Sequence, residues 1–290
     1  MKGRRWGSIL TLIFISLTAV TIVFDVEVTH KVLIVGWFAF FAMMGGALIG
    51  KFIDSQDTKH YARNLVWGYG LASGAMITSS TVFLIPPSLD LDPAAGGFGI
   101  ALGLVTGFST HTWSHRTHTS FFDLDHTVIN ITAHTVAAGA IIGIIYEGLP
   151  ELGLVLGLAI VSHKGPGGYS IAQRINKMNG DVMILLVPAS AVGVMAIITN
   201  YLGIPKIPSL DGLVFGFSAG IFLHVALDFL PRCGHGSEIY EAVETEVKED
   251  CPDDHDQDHD HSEVLDRLRI HSVLSTVVGL IVILVAWYFV

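Results

Sequence analysis

Long apolar runs constrain the fold of this chain more than any other feature. They cover approximately 5–24, 31–50, 65–86, 94–108, 127–146, 151–173, 181–200, 209–231 and 270–290. About twenty apolar residues in a helix cross the roughly 30 Å of hydrocarbon in a bilayer. Backbone polar groups in lipid must be satisfied within each segment, so these runs predict nine transmembrane helices. The chain is therefore predicted to be an all-α polytopic membrane protein whose first partner is the lipid bilayer.

Composition agrees with this prediction and excludes several function classes. Only 14% of the residues are charged, against roughly 25% in soluble domains. The net charge of -10 is concentrated in one acidic segment, 238–260, and no basic patch indicates nucleic-acid binding. A Walker motif and a membrane His-Glu-x-x-His motif are both missing from the sequence, so neither an ATPase nor an intramembrane metallohydrolase is expected. We expect no enzymatic activity and no organic cofactor.

The charges between the runs predict the topology. Lysine and arginine cluster in alternate loops, which places the N-terminus in the cytoplasm and Val290 outside, in a cell membrane. Residues 1–30 are interpreted as a retained transmembrane helix, with a signal peptide as the alternative.

Two hydrophilic segments are rich in histidine. The first is a predicted cytoplasmic loop at 109–126, and the second is a predicted cytoplasmic loop at 233–262. Imidazole and carboxylate side chains of the second loop are candidates for loose metal capture, the alternative being a solvated linker. These candidates are His255, Asp256, Asp258, His259 and His261.

Ionisable residues at bilayer depth indicate a functional site, because they are costly there and seldom kept without a role. His134 and His163 are candidate metal ligands, since imidazole is a common metal ligand. The alternative is that each hydrogen-bonds a neighbouring helix. Lys164 needs a partner, and Asp228 or Asp211 is expected to supply it.

Other polar residues on the same predicted helices carry weaker signals. His224 and Asp228 lie one helical turn apart and are either metal ligands or a polar pair. Asn130 shares a helix face with His134, and Thr135 lies beside that face. Both are secondary candidates, and Asn130 is better suited to joining two helices than to binding a metal.

Four motifs together resemble the ZIP family of metal transporters. They are Gly70-Leu-Ala-Ser-Gly-Ala-Met with Phe83-Leu-Ile-Pro, His134-Thr-Val-Ala-Ala-Gly, His163-Lys-Gly-Pro, and the segment 217–231 that contains His224 and Asp228. The resemblance implies an eight-helix core at 31–232 and 263–290, with 1–30 as an extra helix. It also implies transport of divalent cations toward the cytoplasm without ATP. Zn²⁺ is the expected cargo, Fe²⁺ and Mn²⁺ are alternatives, and a homodimer remains open.

The chain departs from that family at the site itself. Ala138 and Gly167 occupy positions where the family carries carboxylates, and Lys164 replaces a ligand. The resemblance then implies a single-metal site of His134 and His163, with Asp228 and water. Lys164 would stand near the second-metal position and couple transport to loss of its proton. A non-transporting metal sensor or regulatory protein is the alternative function.

Overall fold

A computed structural model describes residues 2–24, 27–52, 58–116, 126–148, 157, 161–203, 207–231, 239–240, 243 and 257–288. These residues form helices and turns, and no strand occurs among them. The all-α class is confirmed. Six helical stretches among the described residues are long and apolar enough to cross a membrane, and Pro93–Ser109 and Ile131–Glu147 are shorter apolar helices. The chain is therefore a polytopic helical membrane protein.

The helices are numbered here in chain order. They are α1 (Lys2–Phe24), α2 (Glu27–Phe52), α3 (Thr58–Thr78), α4 (Ile85–Leu91), α5 (Pro93–Arg116), α6 (His126–Gly148), α7 (Lys164–Lys177), α8 (Leu186–Leu202), α9 (Pro208–Asp228) and α10 (Gln257–Tyr288). A short π-helical segment, Ser79–Leu84, joins α3 to α4, and a 3-10 turn, Val182–Leu185, precedes α8.

The predicted helix at 151–173 differs most from the structure. Helix α7 begins at Lys164, and His163 lies in the turn just before it. Proline lacks a backbone N–H and is tolerated in the first turn of a helix, where that donor would have no intrahelical partner. Pro166 therefore favours a helix start at this point. Residues 149–156 and 158–160 lie outside the described part of the chain.

Helical structure extends into both of the predicted cytoplasmic loops. Helix α5 runs to Arg116, so the first part of the predicted loop 109–126 is helical. Helix α10 begins at Gln257, so the last part of the predicted loop 233–262 is helical as well. Neither helical stretch contains a proline or glycine that would stop the helix within the predicted loop.

The predicted helix at 65–86 is helical throughout, with a break in its α-helical hydrogen-bond pattern just before Pro86. The backbone N–H of Ile85 donates to Ser80 O, five residues earlier, which gives the π-helical turn. Two serine hydroxyls tie this region to α9: Ser80 Oγ donates to Ala219 O at 3.2 Å, and Ser73 Oγ donates to Ala226 O at 2.8 Å. The break therefore lies against α9.

Glycines bring pairs of helices into backbone contact, among them α5 and α9. A Cβ added at Gly99 or Gly103 would overlap carbonyl oxygens of α9. In the same way, a Cβ added at Gly46 of α2 would overlap Gly165 O, and one added at Gly168 of α7 would overlap Met43 O. Small residues permit such close approach between membrane helices. The contact between α2 and α7 positions the start of α7, where His163 lies.

The first and last helices lie at the rim of the bundle. Only 17% of the apolar window in Arg4–Phe24 and 22% of that in Val264–Ala286 is buried, against 50% or more in the other four candidate spans. Helix α1 packs against α8, and α10 packs against α3. Both helices therefore leave most of their apolar surface uncovered by the rest of the described chain.

Candidate metal site

His134 and His163 meet in the interior of the bundle. Their Nε2 atoms are 3.4 Å apart, and the two residues are only 6% and 4% exposed. His134 comes from the middle of α6, whereas His163 comes from the turn that precedes α7. The structure thus brings together the two residues that the sequence singled out first.

An aromatic side chain from a third helix packs against both imidazoles. Phe222 of α9 is fully buried, and its ring centroid lies 5.5 Å from that of each histidine. Both contacts are T-shaped, with interplanar angles of 61° and 90°. Edge-to-face packing of this kind is a favoured aromatic geometry. Phe222 therefore restricts how far either ring can turn away from the other.

A small cavity adjoins the pair. Its volume is about 10 Å³, which is roughly enough for one water molecule. Besides the two histidines, its wall contains Met43, Met76 and Lys164. Its remaining wall is formed by Gly167, Gly168, Ile131, Val225 and Phe229. Five helices thus contribute to one enclosure that has room for a single small occupant.

The distance between the two Nε2 atoms fits two arrangements. One ring can donate a hydrogen bond to the other, with the tautomer deciding the donor. Two nitrogens at 2.0–2.1 Å from a tetrahedral metal are also about 3.3–3.4 Å apart. Little movement would therefore be needed to exchange a shared proton for a metal ion. Among the described residues no third His, Cys, Asp or Glu completes a metal-binding group with them.

Lys164 directly follows His163 in the sequence and also lines the cavity. The side chain is 2% exposed, and Nζ has no hydrogen-bond partner among the described residues. The prediction that Asp228 or Asp211 would hold the ammonium is wrong. The Asp228 carboxylate is engaged by His224, and Asp211 lies in the first turn of α9, more than four turns from Asp228. The lysine amine thus lies at the cavity without a carboxylate partner among the described residues.

The other predicted ligands form a separate pair on α9. His224 Nε2 lies 3.2 Å from Asp228 Oδ2, and the two side chains are 14% and 36% exposed. Neither residue is part of the cavity wall, although Val225 and Phe229 beside them are. The four predicted ligands are thus divided into two pairs. The second pair has the intrahelical arrangement that was the alternative to metal binding.

Of the two secondary candidates, Thr135 makes a hydrogen bond within its own helix, and the side chain of Asn130 lies outside the described part of the structure. Thr135 is fully buried and its Oγ1 donates to Thr132 O at 2.9 Å, within its own helix. The backbone of Asn130 belongs to α6, but its side chain is outside the described part of the structure. Ala138 is 1% exposed and Gly167 lines the cavity, so the two positions without carboxylates are both interior.

The predicted metal-capture loop is only partly described. His255 and Asp256 lie outside the described residues. Asp258, His259 and His261 belong to the first turns of α10, but their side chains are also outside the description. Metal capture by these residues remains a prediction.

Two sulfur-bearing residues of the cavity escaped prediction. Met43 of α2 and Met76 of α3 are 1% and 0% exposed. Buried methionine usually serves as flexible core packing, so neither residue stands out by type. Met76 does end the Gly70-Leu-Ala-Ser-Gly-Ala-Met motif, which was the available signal. Met43 has no comparable signal in the sequence.

Comparison of the chain with protein-family models and with curated proteins gave no match. A functional proposal therefore depends on the motifs and on the geometry of the His134–His163 pair.

Proposed function

We propose that this protein is a ZIP-like secondary transporter, which carries divalent metal cations toward the cytoplasm through the His134–His163 pair. Zn²⁺ is the divalent cation that the resemblance implies as cargo, with Fe²⁺ and Mn²⁺ as alternatives. The observation that carries the proposal is the 3.4 Å distance between two buried Nε2 atoms beside a cavity. That distance matches the separation between two nitrogen ligands of one tetrahedral metal ion.

The surroundings of the pair support movement of an ion as well as binding. The start of α7 at Lys164 forms part of the cavity wall, and Met76 in that wall lies three residues before the π-helical segment Ser79–Leu84. Interrupted helices near the bilayer midplane commonly form the binding sites of secondary transporters. Breaks of this kind are tolerated at membrane depth where they are buried in protein or line a cavity.

The proposed site holds one metal ion. Ala138 and Gly167 supply no carboxylate, and the amine of Lys164 would repel a second cation in its protonated form. Water in the small cavity is proposed as the remaining ligand, since imidazoles supply two positions of a tetrahedron. Transport toward the cytoplasm is the direction that the family resemblance implies, with a predicted cytoplasmic N-terminus and Val290 outside.

The test is uptake of radioactive ⁶⁵Zn²⁺ by proteoliposomes that contain the purified chain. We expect His134→Ala and His163→Ala each to abolish most of the uptake. The control is His30→Ala, because His30 lies thirteen residues from Met43 on α2, about 20 Å along the helix. Equal uptake by the wild type and both site variants would exclude the proposed site.

A metal-sensing or regulatory protein with a degenerate ZIP-like core is the second candidate function. The absence of a third His, Cys, Asp or Glu at the pair, within the described residues, favours it. Zn²⁺ binding to the purified protein without any uptake into proteoliposomes would support this function over transport.

A further inference from the structure

The cavity beside the histidines has a wall that is rich in sulfur and poor in oxygen donors. Met43 and Met76 reach it from two different helices, and both are almost completely buried. No aspartate or glutamate contributes to this wall among the described residues. The side chains there that can bind a metal are therefore two imidazoles and two thioethers, with one lysine beside them.

This donor set has a clear chemical preference. Thioether sulfur is a soft ligand that selects soft ions such as Cu⁺, whereas carboxylate and water suit harder ions. Imidazole binds both copper and zinc. The histidines alone therefore do not distinguish between these metals, but the two methionines do.

The charge of the site points in the same direction. Imidazole and thioether ligands are neutral, and the cavity wall offers no carboxylate to offset the charge of a bound cation. Lys164 also lines the cavity, and its ammonium form has the same sign as the ion. Coulomb repulsion is proportional to charge, so a monovalent ion meets half the repulsion that a divalent ion meets at the same distance.

We propose that Met43 and Met76 join His134 and His163 in a binding site for a soft monovalent cation, with Cu⁺ as its physiological representative. This inference rests on the proposed function because it uses the same histidine pair, but it extends the cargo to a class that the family resemblance does not imply. The methionines contribute to Cu⁺ binding and leave Zn²⁺ binding to the histidines.

The proposal is tested by metal binding to the purified full-length chain. Cu⁺ affinity is measured without oxygen by competition with a coloured Cu⁺ chelator, and Zn²⁺ affinity by competition with a coloured Zn²⁺ chelator. The variants are Met43→Leu, Met76→Leu and the double variant, because Leu and Met have similar volumes and exchange at low cost in a core. Met44→Leu is the control: Met44 is also buried, at 8% exposure, but does not line the cavity.

We expect each cavity variant to weaken Cu⁺ binding by at least roughly tenfold, since even partners outside the ligand shell are typically worth 10–100-fold. Zn²⁺ affinity is expected to stay within about twofold in the same variants, and Met44→Leu to change neither affinity. X-ray absorption at the copper edge is expected to show sulfur neighbours in the wild type and none in the double variant. Thermal melting of each variant checks that the fold is retained.

Two results would overturn the inference and leave the proposed function standing. The first is Zn²⁺ binding that needs His134 and His163 in a protein that does not bind Cu⁺. The second is Cu⁺ binding of wild-type affinity in the folded double variant. Failure to bind either metal, together with absent ⁶⁵Zn²⁺ uptake, would instead reject the proposed function itself.

Discussion

His134 Nε2 and His163 Nε2 lie 3.4 Å apart although twenty-nine positions separate the two residues along the chain. The contact joins the middle of α6 to the turn before α7, and Phe222 packs against both rings. Because each partner depends on the packing of a different helix, changes at helix contacts are expected to reach the pair. The predictions below separate such indirect effects from changes to the ligands.

The glycine contact between α2 and α7 is expected to control both stability and metal binding. A Cβ at Gly46 would overlap the backbone oxygen of Gly165, whereas a Cβ at the adjacent Gly45 would meet nothing within 4 Å. We expect Gly46→Ala to lower the free energy of unfolding by about 1–3 kcal/mol, the usual range for overpacking. It is also expected to weaken Zn²⁺ binding, because the start of α7 must shift.

Gly45→Ala is the matched control for that change. It adds the same methyl group on the same helix and is expected to leave both quantities near their wild-type values. Thermal melting in detergent and Zn²⁺ titration provide the measurements. A Gly46→Ala protein that melts and binds Zn²⁺ like Gly45→Ala would show that the backbone contact is not needed.

Removing the charge beside the pair is expected to strengthen metal binding. Lys164 lines the cavity and is almost fully buried, and like charges repel strongly where water is excluded. We expect Lys164→Met to tighten Zn²⁺ binding by at least roughly tenfold. Weaker Zn²⁺ binding in Lys164→Met than in the wild type would mean that the lysine positions the ligands or a bound water instead.

A carboxylate introduced at Gly167 is expected to act as a third ligand. The nearest atom to an added Cβ is Phe229 Cε1 at 3.8 Å, so a Cβ fits there without displacing backbone. We expect Gly167→Asp to raise Zn²⁺ affinity by at least roughly tenfold, since a carboxylate both coordinates the ion and offsets its charge. Gly167→Asn has nearly the same shape without the charge, and a gain of the same size in that variant would argue against this explanation.

The pair on α9 is expected to be unnecessary for metal binding. His224 and Asp228 contact each other and do not line the cavity. Zn²⁺ affinities of His224→Ala and Asp228→Asn, measured by titration, are expected to lie within about twofold of the wild type. A loss comparable with that of His134→Ala in either variant would restore these residues to the ligand set.

The start of α5 is expected to be sensitive to acid. Hydrogen bonds from the Ala95 N–H, above all, and from the Ser209 hydroxyl lower the pKa of Asp92. A lowered folded-state pKa means that the stabilisation is present above the ordinary value near 4 and is lost as the pH falls below it. We expect the melting temperature of the wild type to fall more between pH 5 and pH 3 than that of Asp92→Asn. Equal falls in both proteins would remove Asp92 as a cause.

Helix type and approximate position were predictable from local sequence. Residues 5–24, 31–50 and 209–231 form helices close to those bounds because the thickness of the hydrocarbon sets the length of an apolar run. Helix ends at hydrophilic segments were not predictable in this way. The bilayer places no limit on polar extensions such as the start of α10 at Gln257.

Within the candidate site, the sequence by itself determined which residues are costly in a membrane. His134, His163 and Lys164 stand out because hydrocarbon solvates polar groups poorly, whatever the helix arrangement. Only the tertiary structure decided that the two histidines meet, that Asp228 does not join them, and that Met43 and Met76 do lie at their cavity. These relationships depend on how far helices approach and rotate against one another. That geometry arises from contacts between backbone atoms at residues such as Gly46 and Gly168, which lie far from their partners in the sequence.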